Sequence, residues 1–166
     1  MELDLNKKEK TPTKPLITIV RGFPGSGKTL FGRSLAARQN GLFVEPDIVL
    51  YDRDSNYCYT PAIYRRAEAA AKNILTAYFE GGGTFAVYAD VLPRKHDVWY
   101  FLRGLEMSTR WGLRIWDPDE RHAFDHKVID MPKITMEESR ARNDHNVCDE
   151  DLKWMFENWE DWDGKY

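Results

Sequence analysis

Apolar positions along this chain alternate between two rhythms. Leu16-Ile17-Thr18-Ile19-Val20 is a compact β-branched run that predicts a strand from Leu16 to Arg21. Leu30-Phe31 and Leu35-Ala36 recur at helical spacing and predict a helix from Lys28 to about Asn40. Gly41 stops that helix, and a short strand is expected near Leu42 to Glu45. Thr60-Pro61 supplies an N-cap and a first helical residue for an alanine-rich helix that reaches Phe79 and ends at Gly81-Gly82-Gly83. Thr84 to Ala89 then reads as a strand with Asp90 at its carboxyl end, Lys95 to Trp111 as a helix, and Leu113 to Trp116 as a strand halted by Pro118. Between Asp117 and Met131 the pattern is ambiguous, and Val128-Ile129 fits either a short strand or a loop anchor. Thr135 with Glu138 forms a capping box ahead of a short helix reaching about Asn143. A last helix is expected from Asp149 to Trp162, with Leu152, Met155, Phe156 and Trp159 on one face. That stripe reads as core packing, with a docking surface around Trp154 or Trp162 as the alternative. Alternation of this kind builds an α/β fold, a parallel sheet flanked by helices.

At 166 residues the chain is long enough for one ordinary domain and too short for two substantial ones. Residues 1–15 are polar, charged and interrupted by Pro12 and Pro15, and read as a mobile tail ahead of a single domain over 16–166. With 42% hydrophobic and 31% charged residues the body reads as soluble and globular. The net charge of −3 gives no global nucleic-acid signature, although a local basic face would suffice to attract phosphates. Cys58 and Cys148 are too few for a disulfide framework, no apolar stretch approaches membrane-spanning length, and the charged N-terminus lacks a secretory core. A cytoplasmic setting is expected, with no membrane partner.

Gly22-Phe23-Pro24-Gly25-Ser26-Gly27-Lys28-Thr29 changes the picture. It fits the phosphate-binding Walker A template G-x-x-x-x-G-K-[ST], and it stands between a predicted strand and a predicted helix, as that mechanism requires. Glycines let the backbone wrap an anion with its N–H groups, and the helix start adds its positive dipole end. Lys28 is then placed to reach the β/γ-phosphates, and the Thr29 hydroxyl to ligate Mg²⁺. A nucleoside triphosphate is the expected ligand.

In open parallel sheets ligands collect at the carboxyl ends of the strands, where Asp47 and Asp90 also stand. Asp47 suits a general base for an acceptor hydroxyl, and equally a turn aspartate after Pro46. Asp90 suits a carboxylate on the metal or acceptor side, which the apolar strand and its place after the phosphate loop favour over a helix cap. Arg140 and Arg142 offer lid cations; two residues apart on a helix they point about 200° away from each other, so one of them addresses the nucleotide. Arg94, Lys95 and Arg103 form a second basic set that either meets an acceptor phosphate or makes a solvated helix face. His122 and His126 lack an evident third ligand for zinc, and nothing marks Cys148, close to His145, as a nucleophile.

Taken in order, Arg21 to Thr29, Pro46-Asp47, Asp90 closing a strand, and Arg142-Asn143-Asp144-His145-Asn146-Val147 resemble the polynucleotide 5′-kinase-like branch of P-loop kinases, over roughly Leu16 to Trp159. The resemblance implies a P-loop kinase fold with a short lid, ATP and Mg²⁺ as cofactors, Asp47 as the base that activates a 5′-hydroxyl, Asp90 on the acceptor side and Arg142 as a lid arginine over the phosphates. The acceptor half departs from the family. Ile48-Val49 stand where a second aspartate and an aromatic are usual, Leu50-Tyr51 where an acceptor-binding arginine is usual with Arg53 only nearby, Asp90-Val91-Leu92 in place of Asp-Thr-Asn, and Asn146 at a second lid arginine. The expectation is therefore a phosphotransferase with Lys28, Asp47 and Arg142 catalytic, Gly22, Pro24, Gly25, Ser26, Gly27, Lys28, Thr29 and Arg142 on the nucleotide, and Asp90, Arg53 and Arg94 on the acceptor, which is a nucleic-acid 5′ end or a small hydroxyl compound. A nucleotide-binding module that acts through a partner, and a small-molecule or nucleotide kinase, are the alternatives.

Overall fold

A computed structural model describes residues 14–53, 56–57, 59–109, 124–145 and 147–165. Four strands, β1 (Leu16–Arg21), β2 (Leu42–Val44), β3 (Phe85–Asp90) and β4 (Asp125–Asp130), form one parallel sheet in the order β2-β3-β1-β4. Five helices accompany them among the described residues: α1 (Lys28–Arg38), α2 (Pro61–Glu80), α3 (Lys95–Ser108), α4 (Met136–Ala141) and α5 (Asp149–Glu157), with a 3-10 turn at Pro46–Val49. The central strands read as nearly continuous apolar runs because both faces are covered. Ile17, Ile19, Ala86 and Tyr88 pack under α2 and α3 with Leu75, Phe101 and Leu105. Val20, Val87 and Ala89 turn to the other face, against Ala36 of α1. This is the α/β parallel sheet the periodicity predicts.

The caps form as their sequences suggest. Thr60 Oγ1 accepts from the amide of Ile63, and Thr135 and Glu138 exchange both bonds of the capping box. Val128-Ile129 belongs to a strand, since β4 pairs with β1 residue for residue, Ile19 opposite Val128 and Val20 opposite Ile129. The expected strand Leu113 to Trp116, Cys58, His122 and most of the N-terminal segment lie outside the described residues.

Two helices end earlier than predicted. α3 stops at Ser108, because Thr109 is extended and its hydroxyl donates to the Glu106 carbonyl, drawing the backbone out of the helix. α5 stops at Glu157, five residues short of Trp162, where the Asn158 side chain caps the Trp154 carbonyl. Beyond it the backbone bonds to the ends of the sheet: the Glu160 amide donates to the Pro93 carbonyl and the Trp162 amide to Asp130 Oδ2, both at 2.9 Å. At the end of β1, Arg21 is fully buried; its guanidinium donates to Asp130 at 2.6 Å, to the Leu92 carbonyl at 2.9 Å and to the Glu160 carbonyl, and lies 4.4 Å from the Trp159 ring.

Candidate active site

A cleft of about 1350 Å³ opens at the carboxyl end of the sheet, with the phosphate-binding loop as one wall. Gly25 and Gly27 take φ of +77° and +89°, which a residue with a side chain reaches only under strain. Gly27 is the N-cap of α1 and offers no capping side chain, so the first amides of that helix have no partner within it. Pro24, Gly25, Gly27, Lys28 and Thr29 line the cleft, while Gly22 and Ser26 shape the loop from behind. A Cβ on Gly22 would lie 2.6 Å from Ser26 Oγ, a buried hydroxyl with no hydrogen-bond partner among the described residues. Uncapped amides on a loop shaped by left-handed glycines are the donors an anionic phosphate chain requires.

Lys28 Nζ donates to the Phe23 carbonyl at 2.9 Å. Although the residue keeps some exposure, its ammonium is set deep among protein atoms; this burial lowers its pKa, against the opposing charges of Asp90, Asp47 and Glu45. Thr29 Oγ1 donates to Glu45 Oε2 at 2.7 Å, and Arg33 holds the other oxygen of that carboxylate at 3.0 Å. Glu45 is buried and lies at the end of β2, so the threonine hydroxyl and a carboxylate form a hard-oxygen pair suited to Mg²⁺.

Asp47 and Asp90 face the same cleft from two different strand ends. Asp47 sits in the 3-10 turn; Tyr57 donates to its Oδ1 at 3.0 Å, and His145 Nε2 stands 3.7 Å from its Oδ2. The Tyr57 ring stacks on His145 at 4.6 Å, and the His145 Nδ1 is 3.0 Å from the Tyr51 hydroxyl. Burial, and then Asp47, raise the Tyr57 pKa, keeping the phenol a donor. Asp90 is buried and engaged at both oxygens: the Tyr64 and Tyr88 hydroxyls donate to Oδ2 and its neighbour's amide, Val91 N, to Oδ1. Burial pushes its pKa up to about 6, opposed chiefly by the Tyr64 hydrogen bond.

Arg140 lies in the last turn of α4 and Arg142 is its C-cap. Arg142 lines the cleft and its Cβ packs over Gly25, whereas Arg140 turns away to bond Asp149 at 2.7 Å. Arg94 also lines the cleft, held by Asp97 at 2.7 Å and set 5.4 Å from the Trp154 ring. Lys95 and Arg103 pair with Asp163 and Glu106 outside it. Arg53 is exposed and does not line the cleft. Sequence reasoning missed Glu45, Tyr57, Tyr64 and Arg65. The last lines the cleft from α2, beside Glu68 and Lys72, which pair with each other at 3.1 Å. The spacing 65, 68, 72 on one helix face was the available signal.

No family model matches the chain, and no curated protein sequence matches it. Among solved structures it is similar to a chain of the Pnkp1/Rnl/Hen1 RNA repair complex (15% identity, TM-score 0.61, 92% of this chain and 49% of that one). It is also similar to a gluconokinase from Sinorhizobium meliloti (17%, TM-score 0.55, 92% and 79%) and to a sugar kinase from Janibacter sp. (13%, TM-score 0.57, 92% and 81%). The chain thus spans about half the length of the RNA-repair chain it matches. The fold is that of the P-loop kinases.

Proposed function

We propose that this protein is an ATP-dependent phosphotransferase that acts on a hydroxyl acceptor, with a polynucleotide 5′-hydroxyl as the acceptor class. One observation carries the reading: an uncapped phosphate loop with Lys28 and the carboxylate of Asp47 share one cleft. The loop amides and Lys28 bind the triphosphate, and Arg142 adds positive charge from the lid. Thr29 and Glu45 would hold Mg²⁺, which when bound offsets phosphate charge. Asp47 takes the proton of the acceptor hydroxyl on a carboxylate oxygen, while Tyr57 and His145 fix the orientation of that carboxylate. Asp90, held by two tyrosines and an amide, shapes the acceptor side and keeps one lone pair of Oδ1 for it.

The order of motifs supports a polynucleotide acceptor, as does the likeness to a chain of an RNA repair complex. Labelled ATP offered with 5′-hydroxyl oligonucleotides, nucleosides, gluconate and neutral sugars tests the reading. Label on the oligonucleotide is expected. Label on a sugar acid or sugar would keep the phosphotransferase and replace the acceptor. A second reading, a nucleotide-binding module, is favoured by the covering of Asp47 by Tyr57 and His145; tight ATP binding with neither transfer nor hydrolysis would select it.

A further inference from the structure

The phosphate loop is held from outside the cleft by a segment that no motif singles out. Phe23, the second residue of the loop, is 4% exposed and lies flat on Phe156 of α5, ring centroids 3.8 Å apart and planes 6° from parallel. Trp159 packs against the same ring at 4.5 Å, and Arg21 lies over the indole. Trp159 is itself fixed by its neighbours. Glu160 accepts the Lys95 amide and donates its own to Pro93, Asp161 pairs with Lys133 at 2.8 Å, and the Trp162 amide binds Asp130. The carbonyl of Phe23 receives two donors from the loop: the Ser26 amide that closes the turn and the Lys28 ammonium. The residue gripped by two aromatic rings is therefore the one that sets the turn and the lysine.

We infer that residues 156–162 are a clamp belonging to the nucleotide site, and that Phe156 and Trp159 are positioning residues for triphosphate binding. A loop with two residues in left-handed conformations loses entropy whenever it orders around an anion, and packing that orders it beforehand removes that cost from binding. The aromatic contacts supply that order at a distance from the ligand, leaving the cleft face of the loop to backbone amides.

This inference rests on the nucleotide reading above, and its test separates the two. ATP·Mg²⁺ affinity is measured by calorimetry well below the melting temperature for wild type, Phe156→Ala, Trp159→Ala, the conservative Phe156→Tyr and Trp159→Phe, and Trp99→Ala, an exposed control outside the cleft. Each alanine variant is expected to bind about tenfold more weakly. The aromatic replacements should restore most of the affinity, the control should match wild type, and in turnover the loss should fall on KM for ATP and not on kcat. Alanine variants that stay folded by circular dichroism and bind ATP as wild type does would overturn the clamp alone. If Phe156→Ala fails to fold, Trp159→Ala and Trp159→Phe carry the comparison. Wild-type protein that binds no ATP would overturn the nucleotide reading and the clamp with it.

Discussion

The phosphate loop meets the cleft with backbone amides and one lysine and with no side chain capping the helix behind them, whereas Asp47 and Asp90, across the cleft, arrive already bonded to tyrosines. The donor wall depends on main-chain geometry, which a short run of glycines can encode. The opposite wall depends on side chains contributed by the 3-10 turn, Tyr51, Tyr57, α2, β3 and His145, any of which can change alone. The loop is therefore recognisable from a short template, while the wall opposite it is held together by hydrogen bonds that no short template describes.

The largest effect should come from the donor wall. Lys28→Ala is expected to abolish ATP-dependent transfer, a loss of at least about 100-fold in a filter assay with labelled ATP. The same variant should melt at a higher temperature, because the wild type holds a charge whose pKa burial depresses. The folded state sheds that proton before the unfolded chain does, so the wild-type deficit narrows as pH rises into the alkaline range. A lower melting temperature for the variant would show that the ammonium stabilises the loop.

Asp47→Asn sharpens the contrast from the other side: kcat should fall by about 10²–10⁴, with ATP affinity by calorimetry within twofold of wild type, a threshold of about 0.4 kcal/mol. Transfer at the normal rate would remove Asp47 from the mechanism. Asp90 predicts a pH signature. Its carboxyl titrates at about 6 in the fold against about 3.9 in an unfolded chain, so the folded state binds the proton more tightly. The contribution of Asp90 to stability is then fully present below about pH 4 and is lost, by about 3 kcal/mol, as pH rises through 6. Denaturant titrations from pH 4 to 7 should show that limb in wild type and a flattened one in Asp90→Asn. Tyr57→Phe should have the smallest effect, lowering kcat about threefold to tenfold through loss of one bond to the base, with KM for ATP unchanged.

Elements whose cause is local were legible in the sequence. β1, β3, the caps at Thr60 and Thr135 and the phosphate loop follow from nearest neighbours along the chain. β4 was not, because Asp125-His126-Lys127 carries too many polar residues to read as a strand until β1 pairs with it. Nor was the end of α5: Leu152, Met155, Phe156 and Trp159 keep helical spacing, yet the segment's amides bond better to Pro93 and Asp130 than to the preceding turn. Glu45 reads as the end of a short strand and Tyr57 as a loop residue, and only folding brings them within 3.0 Å of Thr29 and Asp47.

Arg21 stands near the start of the chain, and the groups that receive its guanidinium lie 71, 109 and 139 residues further on. A buried arginine without acceptors is among the costliest states a core can hold, so the end of β1 is stable only with Leu92, Asp130 and Glu160 in place. α2 can form from local contacts, whereas the end of β1 beneath the loop is completed only by long-range closures. The shape of the phosphate loop thus depends on contacts made far along the chain from it.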